Sequence, residues 1–222
     1  MRIGAFLADL PNGARLRLAG LGRRIPPGWS AGDRAPIVLL PGTYETWHLL
    51  APLARALHAD GHPIHVIEAI GGNRRPIPWV ADQVREAIAR RGLRGAVLLA
   101  HSKGGIVGKQ LLVDEQGMPA PARRIDRLIA IAAPFSGSSM ARLVPFGALR
   151  AFVPDDALLD RLGAEHAVDE RIVSIAPRID PHIPEGSRLE GAQNIELDLV
   201  GHFRILRDPR TLAAVREVAG DA

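Results

Sequence analysis

The stretch from Val97 to Val107 constrains this chain more than any other. It reads Val-Leu-Leu-Ala-His-Ser-Lys-Gly-Gly-Ile-Val. An apolar run, Val97 to Ala100, halts at His101-Ser102, and two glycines follow one residue later. Ile106, Val107, Gln110, Leu111 and Leu112 then recur at helical spacing. A continuous apolar run fits a strand buried on both faces of a parallel sheet, and the later period fits a helix packed on that sheet. The pattern is strand, sharp turn, helix, with one serine at the apex. So tight a turn is strained, and it pushes the serine hydroxyl out at the top of the sheet. Strand and helix nearly touch there, so the residues two before and two after the serine must be small. Ala100 and Gly104 occupy those places, and Gly105 lets the helix lie close to the sheet.

The same rhythm runs through most of the chain. Pro36–Leu40, His62–Ile67, Gly95–Ala100, Arg127–Ala133, Arg171–Ala176 and Asn194–Val200 are strand candidates. Trp47, Leu50, Leu53, Ala54 and Leu57 recur at helical spacing up to Gly61, with Pro52 in or near the first turn. Val80, Val84, Ala87 and Ile88 form the face of a helix that has Pro78 near its start and Gly92 past its end. The elbow helix runs to about Glu115. Asp208-Pro209 opens a last helix, with the aspartate as N-cap and the proline at the first position. This alternation predicts an α/β fold, a doubly wound and mostly parallel sheet with right-handed crossovers. Ligands of such sheets bind outside the carboxyl ends of the strands.

Ala-His-Ser-Lys-Gly resembles the Gly-x-Ser-x-Gly elbow of the α/β-hydrolase family, in particular its small bacterial lipases and esterases, with alanine for the first glycine. The resemblance spans most of residues 36 to 218. It implies a nucleophilic serine, Ser102, followed in chain order by an acid and a histidine. A serine hydroxyl needs a base within hydrogen-bond reach, and the base needs an orienting carboxylate. Asp180 lies just past a strand in Ala176-Pro-Arg-Ile-Asp-Pro-His-Ile-Pro184, which looks like the family's acid loop with Ile183 for its valine. Asp155, Asp156, Asp169 and Asp198 are rivals. His202, in Gly201-His-Phe203 after the last strand, resembles the family's histidine loop. His101 reads as a packing residue, and His182 as one that faces solvent or shapes the pocket rim. The oxyanion that forms during acyl transfer requires preorganised N–H donors. The expected donors are the backbone N–H groups of Lys103, at a helix N-terminus, and of Thr43 after Pro41-Gly42, with Tyr44 as fallback. The family's usual His-Gly is Pro-Gly here. The charged tip of Lys103 is expected to line the entrance.

Residues 140 to 168 break the rhythm. They carry Leu143, Val144, Phe146, Leu149, Phe152, Val153, Leu158 and Leu159. The preceding Ala133-Pro-Phe-Ser-Gly-Ser138 is similar to the family's approach to its lid insertion. A short helical, lid-like insertion over about 136–168 is expected. It either builds an apolar acyl pocket, with Tyr44, Phe135, Leu143, Phe146 and Phe152 as lining, or only packs on the sheet edge. The domain reading is one α/β domain over 36–222 behind a loosely docked lead-in, residues 1–35, broken at Pro26-Pro27-Gly28.

The chain has 222 residues, which suits one domain with a full core. With no cysteine, disulfides, a thiol nucleophile and thiolate metal sites are excluded. The histidines are dispersed and the H-E-x-x-H spacing is missing, so no metal and no cofactor is expected. Lys103 and Lys109 are the only lysines, so the net charge of +4 rests on arginine. The arginines are scattered, in short pairs such as Arg74-Arg75, and aromatic residues make up 4%, so nucleic acid is not an expected partner. No apolar run reaches the roughly 18 residues of a membrane span, which leaves only transient contact with lipid surfaces. The N-terminus is a poor signal peptide, with its short apolar run interrupted by Asp9 and Pro11, and a cytoplasmic location is the default expectation.

The expected function is therefore a serine hydrolase that cleaves carboxylic esters of lipid-like or small hydrophobic alcohols through an acyl-enzyme. Two alternatives stand beside it. One is an acyl thioesterase or acyltransferase on the same three residues. The other is a hydrolase fold used only for binding, against which the intact Ser102, Asp180 and His202 argue.

Overall fold

A computed structural model of the chain describes residues 24–119, 122–143 and 152–220. The six strand candidates form six strands: β1 (Ile37–Leu40), β2 (Ile64–Val66), β3 (Ala96–His101), β4 (Ile125–Ile131), β5 (Ile172–Ile179) and β6 (Gln193–Val200). They lie in the order β2-β1-β3-β4-β5-β6, and every neighbouring pair is parallel. The doubly wound sheet is thus wholly parallel among the described residues. The fourth strand begins and ends two residues before the expected run. Its apolar residues continue to Ala133, but Ala132 takes a positive φ of 50° and turns the chain off the sheet.

Side chains alternate between the two faces of a strand, and each face has its own cover. Val38, Leu40, Leu98, Ala100, Leu128 and Ala130 face α2 (Ile77–Arg90) and α3 (Lys103–Asp114), and the short α4 (Ala157–Gly163) packs on that side. Ile37, Leu39, Val97, Leu99, Ile129 and Ile131 face α1 (Ala51–Ala59) and α5 (Pro209–Gly220). All twelve are at most 1% exposed, and full burial of each leucine, isoleucine or valine stabilises the fold by about 1.5–3 kcal/mol. Pro52 sits in the first turn of α1, where a missing N–H costs nothing. Asp208 caps α5 by accepting from the Arg210 N–H.

The described part of the lead-in is docked more firmly than expected. Trp29 is buried, its carbonyl accepts from the Ile64 N–H at 2.6 Å, and its ring meets Trp47 edge-on at 5.2 Å. The size of an indole explains the difference, since one such side chain anchors a whole turn. Residues 1–23 lie outside the described residues.

Between β5 and β6 the chain crosses over as a loop, without a helix. One face of this sheet edge therefore has no helical cover, and Ile179 and Val200 are exposed. A cavity of about 730 Å³ lies there, bounded by Asp180, Pro181, Arg178 and Val200. In the insertion, Ser139–Leu143 is a 3-10 turn, and Phe152, Leu159, Leu162 and Val168 are buried in the α2–α3 core. Phe146, with the rest of residues 144–151, lies outside the described residues.

Candidate active site

Ser102 joins β3 to α3 with φ 52° and ψ −121°. No ordinary well for an L-residue lies there, and such a conformation costs on the order of 1–3 kcal/mol. The surroundings hold it in place. The Ser102 N–H donates to the Ile131 carbonyl at 2.9 Å, and the Ser102 carbonyl accepts from the Gly105 N–H at 2.9 Å. A Cβ on Gly104 would stand 2.0 Å from the Leu40 carbonyl oxygen, and one on Gly105 would stand 2.4 Å from the Ala133 Cβ. The closeness of helix to sheet is therefore written into those two glycines.

Asp180 lies directly past β5 and is 7% exposed. Its Oδ2 is 2.7 Å from His202 Nδ1. Its Oδ1 accepts from the backbone N–H groups of His182 (2.8 Å) and Ile183 (3.1 Å). Burial pushes this carboxyl up, but the charge and hydrogen bond of His202, the His182 N–H and the His182 ring together hold it below its ordinary value. The acid loop is also tied to the insertion: Ser138 Oγ donates to the His182 carbonyl at 2.6 Å, and the Ser139 N–H donates to Glu185. The rival acids are engaged elsewhere. Asp155 pairs with Arg142, Asp156 caps α4 at the Leu158 N–H, Asp169 pairs with buried Lys109 at 2.7 Å, and Asp198 pairs with Arg178.

His202 leaves β6 through Gly201, whose φ of 127° favours glycine and whose N–H donates to the Ile179 carbonyl. The His202 ring is buried against three others: His182 is stacked on it at 4.8 Å, His101 is tilted at 4.7 Å and Phe203 is edge-on at 5.1 Å. His182 thus covers the histidine and is half-buried.

His101 does more than pack. It is fully buried, its Nδ1 lies 2.9 Å from Glu45 Oε2, and its Nε2 lies 3.1 Å from the His202 carbonyl oxygen. Nothing in the sequence singled out Glu45, which sits past the Pro41-Gly42 turn. Its Oε2 also accepts the Gly42 N–H at 2.7 Å, and a Cβ on Gly42 would collide with its carboxylate.

Among the described residues, the backbone N–H groups of Thr43 and Lys103 make no hydrogen bond to protein, and the buried Thr43 Oγ1 has no partner. Tyr44 has a positive φ of 59°, is exposed, and has the Arg74 guanidinium 5.1 Å from its ring centroid. The tip of Lys103 is not at an entrance, which corrects the expectation from sequence. Its side chain is 1% exposed, and its ammonium donates to the carbonyls of Asn73 (3.0 Å) and Arg75 (2.5 Å). Asn73, at φ 50°, in turn donates to the Pro41 carbonyl. Four methylenes let the ammonium reach back to loop carbonyls, which hydrogen-bond it without exposing it. Phe135 and Phe152 are both buried in the α2–α3 core. Phe135 also borders a cavity of about 370 Å³ with Ile106, Leu159 and Leu162. Leu143 ends the 3-10 turn. Among the described residues no three His, Cys, Asp or Glu side chains gather as a metal site, and no helix is long and apolar enough to cross a membrane.

No protein-family model and no curated protein sequence matches the chain. Solved structures do. Lipase B of Aspergillus fumigatus superposes with a TM-score of 0.68 at 18% identity, over 86% of this chain and 54% of that one. A monoacylglycerol lipase of Paleococcus ferrophilus gives 0.58 at 14% identity, over 86% and 96%. An extracellular α/β-hydrolase of a Paenibacillus species gives 0.56 at 18% identity, over 83% and 98%. At these identities the likeness is one of fold.

Proposed function

We propose that this chain, which has the α/β-hydrolase fold, is a serine hydrolase of carboxylic esters. The observation that carries this reading is the contact between His202 Nδ1 and Asp180 Oδ2, with the His202 carbonyl 3.1 Å from the ring of His101, the residue before a serine at a strained apex. An imidazole whose Nδ1–H donates a hydrogen bond to a carboxylate has its lone pair on Nε2, the form a general base requires.

In this reading Ser102 Oγ attacks the ester carbonyl carbon while His202 Nε2 takes its proton. The carbonyl oxygen becomes an oxyanion and meets the N–H groups of Thr43 and Lys103, which no acceptor among the described residues uses. The tetrahedral carbon then expels the alcohol, which leaves with the proton from His202. Water attacks the resulting acyl-Ser102 by the same route and frees the acid. Asp180 stays ionised throughout and stabilises the imidazolium. The names of the structural neighbours, two of them lipases, agree with ester substrates.

The test is a panel of p-nitrophenyl esters of graded acyl length, set against acyl thioesters and run with and without a competing alcohol. Turnover of the oxygen esters with release of free acid is expected. Turnover confined to the thioester, or to transfer onto the alcohol, would replace this reading with another acyl chemistry.

A further inference from the structure

Glu45 and His101 form a buried pair for which the steps above have no use. His101 is 0% exposed and Glu45 is 2% exposed. Both ring nitrogens of His101 face acceptors: Nδ1 faces the Glu45 carboxylate, and Nε2 faces the His202 carbonyl. A neutral imidazole donates from only one nitrogen. Glu45 also accepts from the Gly42 N–H, so the two side chains satisfy each other and two main-chain groups at once. A buried polar pair of this kind contributes little net stability compared with apolar packing, so stability alone is a weak reason for it.

Its connections suggest another reason. Glu45 holds the Gly42 N–H, one residue before the oxyanion donor Thr43. His101 is the residue before Ser102, and it holds the main chain of His202. Two main-chain groups, the Gly42 N–H on the β1 loop and the His202 carbonyl on the histidine loop, are thus bridged by two side chains, one of them from the elbow strand.

We propose that Glu45 and His101 are positioning residues that clamp the oxyanion turn and the His202 main chain in register with Ser102. This rests on the reading of Ser102, His202 and Asp180 given above. The clamp acts on the transition state, because base and oxyanion donors must be aligned only as the proton moves and charge develops. A misplacement of about 1 Å there costs on the order of a hundredfold in rate. Both side chains are buried and so offer little surface to a bound substrate.

The experiment compares steady-state kinetics on a p-nitrophenyl ester, Ser102 labelling by a fluorophosphonate, and melting temperature. The proteins are wild type, His101→Leu, Glu45→Met and Glu45→Gln, with Ile88→Ala as a destabilised control far from the site. His101→Leu and Glu45→Met should lower kcat by about tenfold to a hundredfold with KM within about twofold. Labelling should slow in parallel. Glu45→Gln should recover most of the loss, since its amide oxygen can accept from Gly42 and its NH2 can donate to a neutral His101. Ile88→Ala should melt earlier with unchanged kcat. If His101→Leu does not fold, the two Glu45 variants carry the comparison. Wild-type kcat in folded His101→Leu or Glu45→Met, a loss confined to KM, a Gln variant no better than Met, or an equal kcat loss in Ile88→Ala would each overturn the proposal alone. A folded wild type that neither turns over nor labels would overturn the reading of the site, and the clamp with it.

Discussion

His202 and Asp180, 22 residues apart in sequence, meet through a contact of 2.7 Å between Nδ1 and Oδ2, with both side chains buried. The other Asp180 oxygen is occupied by two backbone N–H groups. In Asp180→Asn the amide oxygen keeps those N–H partners, so the NH2 must face Nδ1. His202 is then forced into the tautomer with its proton on Nε2, where it cannot accept from a serine. We expect kcat to fall by about a thousandfold or more, with a melting temperature close to wild type. Full activity in this variant would remove Asp180 from the mechanism.

The rival carboxylates lead to a contrasting expectation. Asp155 and Asp198 are exposed and paired on the surface, so Asp155→Asn and Asp198→Asn should leave kcat unchanged and cost less than about 1 kcal/mol of stability. Asp169 is 0% exposed and pairs with Lys109, itself 2% exposed. Lys109→Met leaves that buried carboxylate with only the exposed His166 ring, 3.4 Å from its Oδ2, and should cost about 3–5 kcal/mol, while Lys109→Met with Asp169→Leu should regain most of it. Urea unfolding of the three proteins checks this.

Packing at the elbow predicts a third result. Gly104→Ala places a methyl 2.0 Å from a backbone oxygen that has no room to retreat. Helix α3 must shift, at about 1–3 kcal/mol or more. Because α3 positions Ser102 and the Lys103 N–H, ester turnover should fall further than the loss of stability accounts for. Chemical denaturation and kcat, measured on the same preparation, separate the two effects.

Burial pushes the Lys103 ammonium down to about 8. An unfolded lysine titrates near 10.4. Between those values the unfolded chain binds more protons at this site than the folded one does, so stability must rise with pH. The cost of burying the charge is fully present below about pH 8 and absent above about 10.4, a span of at most about 3 kcal/mol. The stability difference between wild type and Lys103→Met should therefore move in favour of wild type from pH 7.5 to 9.5. A difference that stays flat over that interval would mean that the ammonium keeps its ordinary proton affinity.

The inner strands were legible because they are buried on both faces and so appear as unbroken apolar runs, whereas most of the edge strand β6 is half-buried or exposed. Ser102 was legible because tight turns need small neighbours at fixed offsets. Glu45 was not. A single acid in a polar loop carries no periodic signal, and its importance comes from His101, which is 56 residues away. The Lys103 tip was misjudged for a related reason: a lysine at a helix start normally reaches water, and only the folded loop supplies the Asn73 and Arg75 carbonyls. Trp29 anchors a lead-in whose proline and glycine content reads as loose chain, because one aromatic residue among breakers has no spacing to reveal its partner.

The most direct measurement is intact-mass spectrometry of the folded protein after treatment with a fluorophosphonate, followed by peptide mapping. The account predicts one adduct per chain, on Ser102, and none in Ser102→Ala, which should melt at nearly the wild-type temperature. A folded wild-type chain that stays unmodified, or that carries its adduct on another residue, would contradict it.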